Sequence, residues 1–453
     1  MSRNVLVISY YWPPAGGPGA LRVLNFCRFL PRFGWNPIVL TVKDGEYPYT
    51  DNSLTDNVPP GIHVYRTKSR NPFAAYRRFT GKRNGAPIPV GMLADGEKRG
   101  REKIAAWIRA QFFIPDARIG WFLSSVAKVS RIIKNEKIDL VFTSSPPHSL
   151  QLFGLYIRKI SMLPWIADLR DPWTGIRYYQ NIKRAYLTRK GDEFLERAVL
   201  RSADHVVTIG RSLAAQFTDL KKSTPGKNSI TVIPNGFDEA QFGGPAKRTK
   251  KFRIAYTGNM SALQNPSELW RSLSDLANKN TDFKKNISLH FTGRIHTSIL
   301  NSLTEYGLGE LTHTRGYVPH HESIEEIKNA SLLLVIVPRV ENNRCIVTGK
   351  IFEYIGSGKP VLVIGPVDGE AAEIIGKVSN GAVCDYEDTE GCSLFIENIY
   401  SAWKKKKLPE SEPEERRLYS RETLTAKLAE LFDAQMVKPD GIDTRRDCST
   451  REP

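Results

Sequence analysis

The hydrophobic positions of the chain alternate between two periods. Asn4–Ser9 (NVLVIS) is a short unbroken apolar run, the pattern of a strand buried on both faces. Leu21–Phe33 carries apolar residues at helical spacing, and Pro37–Val42 (PIVLTV) is a second strand-like run. Strand, Gly/Pro loop, helix and strand form a βαβ unit and predict the opening of a parallel sheet. Further strands are predicted at Ile62–Tyr65, Leu140–Thr143, Trp165–Ala167 and His205–Ile209, with helices at Ser124–Lys134, Gly191–Ser202 and Ser212–Asp219 among the later ones. After Val232-Ile233-Pro234-Asn235-Gly236 the chain passes through a polar, basic stretch, Gly243–Lys251 (GGPAKRTKK), which reads as a domain boundary. A second series follows. Its strands are predicted at Arg253–Thr257, Ser288–Thr292, Thr314–Val318, Leu332–Val337, Val361–Ile364 and Ala382–Asp385, and its helices at Asn265–Asn278, Ser323–Asn329, Lys350–Ser357 and Ala371–Val378. Two such series predict an α/β protein with two doubly wound, Rossmann-like domains, 1–240 and 250–400, facing each other across a cleft. Residues 401–435 read as a charged helical segment, and 436–453, with little apolar content, as a disordered tail.

Composition narrows this picture only slightly. A length of 453 residues allows two or three cores, and 41% hydrophobic with 25% charged residues excludes disorder throughout, a fibre or a disulfide-stapled scaffold. Five scattered cysteines without CxxC or Cys/His spacing read as reduced thiols, with no zinc site expected. The first apolar run is short and lacks a cleavage signature, so it reads as a strand and not as a signal peptide. The longest runs, such as Leu332–Val337, fall far short of the roughly 20 residues of a membrane span. A cytoplasmic location is expected, either free or peripheral on the inner face of the cell membrane.

Charge points to anionic partners. The formal net charge is +17, and Arg66–Lys103 alone holds eleven Lys/Arg against three acids. A second cluster, Arg177-Tyr178-Tyr179 through Lys183, Arg184, Tyr186, Arg189 and Lys190, interleaves bases with aromatics. Ile104–Phe113 is a short apolar-aromatic stretch behind a basic approach. These segments fit contact with an anionic membrane surface; the other reading of Ile104–Phe113 is a helix packed on the first sheet. Nucleic acid is not an expected partner, because no RNP, KH or helix-turn-helix pattern is present.

Two loops carry candidate chemistry. Tyr10–Arg22 (YYWPPAGGPGALR) follows a strand and opens a helix; its glycines allow a ligand to approach the backbone, and the helix N-terminus offers free N–H groups to an anion. The alternative is a tight turn that binds nothing. In Cys345–Leu362 (CIVTGKIFEYIGSGKPVL), Thr348 is the expected N-cap, with Lys350 in the first helical turn and Glu353 one turn on. Lys350 with the helix N-terminus makes a second anion site, and the Glu353 carboxylate suits a ribose diol. The alternative is a solvated Lys–Glu pair at i,i+3.

The ordered segments YYWPPAGGPGALR, SADHVVTIGRSL, VIPNGFD, AYTGNM, HFTGR, GYVPHHE and KIFEYIGSGKPVL, spanning about residues 4 to 400, resemble the nucleotide-sugar glycosyltransferases of family 4, which have the GT-B fold. The resemblance implies a retaining transfer from a nucleoside-diphosphate sugar, the donor lying mainly against the second domain. Glu353 matches the second glutamate of a Glu-x7-Glu pair that holds the ribose. Cys345 stands where the first would be, which leaves the usual contact to the donor sugar unmatched. The family's phosphate-binding Arg/Lys pair has no match after Gly258-Asn259, and Lys350 and Arg211 are its candidate substitutes. Gly293 and Arg294, with Gly316-Tyr317-Val318, match segments flanking the base; Gly17 and Gly19 fit the loop that closes on the diphosphate.

On the acceptor side, His148 follows a strand where relatives place a cleft histidine, or else caps the next helix. Asp171, in Asp168-Leu169-Arg170-Asp171-Pro172-Trp173, is a candidate for orienting the acceptor hydroxyl, while Asp168 and Arg170 also read as a structural ion pair. No DxD cluster suggests a metal, and no cofactor beyond the donor substrate is expected. The resemblance implies a glycan acceptor, lipid-linked by the basic-aromatic reading, in capsule, exopolysaccharide or lipopolysaccharide synthesis. Two rivals share the fold: a nucleotide-sugar 2-epimerase, and a non-catalytic membrane-associated scaffold.

Overall fold

In the computed structural model, residues 2–48, 50–69, 111, 113–175, 184–222, 229–244, 249–378 and 380–436 are described. Most of the basic stretch from Arg66 to Lys103, nearly all of Ile104–Phe113, the Arg177–Lys183 part of the second cluster and the tail beyond Met436 lie outside the described residues.

Seven parallel strands form the first sheet: β1 (Arg3–Ser9), β2 (Trp35–Val42), β3 (His63–Thr67), β4 (Leu140–Ser145), β5 (Trp165–Leu169), β6 (His205–Thr208) and β7 (Ile230–Val232), in the order β3-β2-β1-β4-β5-β6-β7. Six more form the second: β8 (Phe252–Thr257), β9 (Ile287–Thr292), β10 (Thr312–Arg315), β11 (Leu332–Ile336), β12 (Val361–Ile364) and β13 (Gly381–Cys384), in the order β10-β9-β8-β11-β12-β13. The unbroken apolar runs follow from helical cover on both faces. Along β1, Leu6 and Ile8 join Trp121, Phe153 and Trp165 on one side, while Val5 and Val7 join Phe26, Phe142 and Phe432 on the other. Along β11, Leu332 and Leu334 face one core and Leu333 and Val335 the other.

Phe432 belongs to the helix Arg421–Met436, which returns to the first domain. Its ring meets Trp35 at 5.2 Å and Phe142 at 5.7 Å, Leu424 and Leu428 join the same core, and Asp433 accepts the Trp35 indole N–H at 3.0 Å. The two chain crossings are stitched together, with Phe237 N–H donating to the Tyr419 carbonyl at 3.1 Å and Arg421 N–H to the Phe237 carbonyl at 2.8 Å. A Cβ on Gly236 would lie 2.4 Å from the Tyr419 carbonyl oxygen, so this crossing requires glycine. The helical segment expected at 401–435 is therefore split. Thr389–Lys404 packs on the second domain through Ile396, Ile399 and Tyr400, and Arg421–Met436 on the first.

Several elements differ from the pattern-based expectation, among them the helix Thr297–Glu305, which no predicted range covered, and Thr389–Lys404, covered only at its end. The edge strand β10 ends at Arg315, earlier than the predicted Thr314–Val318, because the Arg315 and Gly316 carbonyls accept from Gly293 N–H and Val318 lies in the loop beyond. The helix Gln151–Ile160, foreseen only as the helix that His148 would cap, had no range readable from the pattern, as Gly154 interrupts it. That glycine admits Trp165, whose indole would sit 1.9 Å from a Cβ at this position. The three-residue β7 is too short to read by period. Among the described residues no helix is long and apolar enough to cross a membrane.

Candidate active site

Each sheet reverses its strand order once, between β1 and β4 and between β8 and β11. The loops leaving the strand ends at such a switch point diverge and leave a crevice. The two crevices face each other, since a Cβ on Gly349 would lie 3.3 Å from Cγ of Pro18 in the loop after β1.

On the second-domain side the helix Lys350–Ser357 begins directly at this contact. Its N-cap is Gly349, without a side-chain cap, and the buried Thr348 hydroxyl has no partner among the described residues. Thr348 was expected as the cap; the helix starts one residue later, its Ile351 and Phe352 N–H groups donate to the Thr348 and Gly349 carbonyls, and the Gly349 and Lys350 N–H groups have no partner among the described residues. It ends as predicted, with Gly358 left-handed at φ 70°. Lys350 turns back over the Tyr256 ring, its Nζ 3.8 Å from the centroid, beside Gly258 after β8. Burial lowers its pKa to about 7, against a smaller opposing pull from Glu353. Glu353 accepts from His320 Nε2 at 2.9 Å. Burial acts to lower the pKa of His320, but the Glu353 hydrogen bond and charge outweigh it and raise the value. Lys350 and Glu353 are thus not paired with each other, and one carboxylate and one desolvated ammonium line the same turn. Gly293, at φ 120°, presses on the Gly258 carbonyl at 2.4 Å from a Cβ position, which packs the loops after β8 and β9 together. Arg294 is exposed and Val318 half-buried beside the exposed Tyr317.

On the first-domain side Gly17, at φ 90°, is the N-cap of the helix Pro18–Phe29, again with no side-chain cap. Gly19 lies against the Arg170 guanidinium. Asp168 is fully buried and held by Arg22 through two hydrogen bonds of 3.1 and 2.9 Å and by the Ser144 hydroxyl at 2.6 Å, while Arg170 Nε is 3.9 Å away. Asp168 therefore pairs most closely with Arg22, and the pair with Arg170 is kept at the longer distance. His148 follows β4, is 6% exposed, and stacks on Trp173 at 4.9 Å and 13°. It makes no capping hydrogen bond to the helix after it. Trp173 is fixed by donating its indole N–H to buried Asp192 at 2.9 Å. Burial lowers the pKa of His148, although Asp171 and Asp116 nearby favour its charged form. Neither ring nitrogen has a partner of good hydrogen-bond geometry among the described residues. Asp171 is half-buried at the end of β5, in the electrostatic neighbourhood of His148 and Arg170.

Arg211 sits differently. The N-terminus of its helix, Arg211–Lys222, is capped across the domain boundary by Glu370, which accepts from Arg211 N–H at 3.1 Å and Ser212 N–H at 2.6 Å. The exposed Arg211 side chain pairs with Glu373 at 2.7 Å. His320, Trp173 and Arg421, not singled out in the sequence, also enter the site, as does Arg170, read there only as an ion-pair partner of Asp168. Arg421 is an electrostatic neighbour of Glu353 and Asp238, and burial lowers its pKa to about 10. His320 stood in the quoted GYVPHHE segment, but nothing local marked it as a partner of Glu353.

Residues 88–241 match the profile of Glycosyltransferase Family 4. In fold the chain is similar to sucrose-phosphate synthase from Thermosynechococcus elongatus, at 14% identity over 95% of this chain and 98% of that one, with a TM-score of 0.59. It is also similar to Anabaena HepE in complex with UDP, at 14% identity over 95% and 100%, TM-score 0.61. A third likeness is to WaaG, a glycosyltransferase involved in lipopolysaccharide biosynthesis, at 15% identity over 94% and 99%, TM-score 0.51. At these identities the likeness is one of fold. No curated protein matches the chain significantly by sequence.

Proposed function

We propose that the chain, which has the GT-B fold and matches the Glycosyltransferase Family 4 model over residues 88–241, is a glycosyltransferase that transfers a sugar from a nucleoside-diphosphate donor to a glycan, with retention and without a metal ion. The carrying observation is the turn Gly349–Glu353, where a carboxylate follows an uncapped helix N-terminus that abuts the Gly17–Gly19 loop. The ribose diol is read at Glu353, flanked by the Gly293-Arg294 and Val318 loops at the base, and the phosphates run toward Lys350. The donor C1–O bond breaks with its electron pair left on the β-phosphate oxygen. The acceptor oxygen bonds to C1 on the same face and gives its proton to that departing oxygen. Positive charge and free N–H groups fixed at the two helix N-termini stabilise the growing negative charge without reorganising. His148, uncharged by burial, and Asp171 orient the sugar and the acceptor hydroxyl.

The acceptor is proposed to be lipid-linked and part of cell-surface polysaccharide synthesis. The first domain's helices Ile119–Asn135 and Tyr186–Ser202 support this, exposing Leu123, Leu187 and Phe194 among Lys128, Arg131 and Lys190. Apolar side chains standing out of a basic field suit a membrane that carries such an acceptor.

The test is a thermal-shift panel of UDP-, GDP-, ADP-, CMP- and dTDP-sugars on the full chain, because a ligand of the folded state alone raises the melting temperature. One donor class should stabilise the parent and not Glu353→Ala, and should support transfer to a lipid-linked glycan. Silence across the panel, or inversion at C2 of the free donor without transfer, overturns the reading.

A further inference from the structure

Behind the Gly17–Gly19 loop two arginines are buried together, Arg22 at 3% and Arg170 at 7% exposure, with one fully buried carboxylate, Asp168, between them. Arg22 takes both Asp168 oxygens. Arg170 is left to donate from Nε to the Ser145 carbonyl at 2.9 Å, and its Nη2 has no hydrogen-bond partner among the described residues. Asp171 is near enough to act on Arg170 electrostatically but forms no ion pair with it. A buried guanidinium with an unmet N–H costs free energy in the empty protein, and a ligand that meets it recovers that cost.

The direction of the guanidinium says what the ligand must be. A Cβ on Gly19 would lie 2.6 Å from Nη1 and 3.2 Å from Nη2, so the charged edge lies against the first turn of the helix Pro18–Phe29. In that turn Gly17 has no side chain, Pro18 no N–H, and the Gly19 N–H no partner among the described residues. A helix N-terminus and a buried cation converge there, and both favour an anion. Pro18 touches Gly349, and Glu353 lies one turn further along that helix. A nucleotide whose ribose is on Glu353 therefore runs its phosphates toward Pro18, Gly19 and Arg170.

We infer that Arg170 is a catalytic residue of the first domain that binds the β-phosphate of the donor and carries its charge as the diphosphate leaves. This rests on the nucleotide-sugar reading above. It gives the site a permanent cation in the position where the second domain offers only a desolvated lysine, since a guanidinium stays charged at neutral pH. The cation then arrives with the first domain, so productive charge balance requires the two domains to be together.

Affinities of the full chain for UDP and UMP, GDP and GMP, and ADP and AMP test the assignment by calorimetry, with Arg170→Gln and Gly19→Ala beside the parent. In the base series that binds, the parent should prefer the diphosphate. Arg170→Gln should lose about tenfold to a hundredfold in diphosphate affinity, the span of a charge-assisted hydrogen bond, with monophosphate affinity unchanged. That unchanged value also reports an intact fold. Gly19→Ala has no positive φ to strain and displaces the guanidinium by contact, so it should lower the same ratio if Arg170→Gln does not fold. A diphosphate-to-monophosphate ratio kept in the variant that folds, or equal losses for both ligands, overturns the role of Arg170. Failure of the parent to bind any nucleotide overturns the nucleotide reading and this role with it.

Discussion

Lys350→Met should make the empty protein more stable and the donor site weaker. Lys350 is half-buried and meets no carboxylate within ion-pair distance among the described residues; its pKa falls from 10.5 to about 7. At about 1.4 kcal/mol per pH unit this corresponds to a burial cost of roughly 5 kcal/mol at most. Remaining solvent contact screens part of it, and the Tyr256 ring at 3.8 Å returns about 1–2 kcal/mol. A net gain of about 1–3 kcal/mol is expected on substitution. The sign with pH follows from proton binding. Between about pH 7 and 10.5 the unfolded chain holds this proton and the folded chain does not, so the parent's stability rises with pH across that window. Met has no such slope. The advantage of Lys350→Met should therefore be widest near pH 6 and shrink by pH 9, read from urea unfolding of both chains at pH 6, 7.5 and 9. Nucleoside-diphosphate affinity should fall about tenfold in the same variant. A pH-independent gap, or a less stable variant at pH 6, would refute the claim that the ammonium is held against its solvation.

Phe432→Ala removes the ring that joins Trp35 and Phe142 and should cost about 3–5 kcal/mol, seen as a lower melting temperature; a cost under about 1 kcal/mol would show that the last helix is not part of the first core. Glu370→Gln weakens the cap on Arg211 and Ser212 by about 1 kcal/mol. Tryptic cleavage in the Gly243–Lys251 linker should accelerate, and an unchanged rate would argue that this contact does not hold the domains together.

The fold was largely legible, and the site only in parts. Both sheets follow from runs such as NVLVIS and LLLVIV, because a strand covered on both faces must be apolar throughout. The exceptions have local causes, as where Gly154 breaks a helical pattern to make room for Trp165. In the site, the loop Gly16–Gly19 and the turn Lys350–Glu353 stood out because glycines and helix starts announce themselves within a few residues. The state of those side chains did not. The reading of Lys350 and Glu353 as an i,i+3 pair is locally sound, yet Glu353 is taken by His320 and Lys350 by the Tyr256 face.

What the sequence by itself determined is what depends on neighbours along the chain: the two βα series, the helix ending at Ser357 and the glycine loop opening the first helix. Backbone dihedrals and burial periods are decided over a handful of residues, so they can be read there. Only the tertiary structure decided which charges meet. Asp168 took its guanidinium hydrogen bonds from Arg22 and holds its neighbour Arg170 only at 3.9 Å, Glu370 capped a helix of the other domain, and the last helix completed the first core. Ion pairs and hydrogen bonds form between groups a few ångströms apart in space, and that distance exists only once the two sheets have packed and the chain has crossed back.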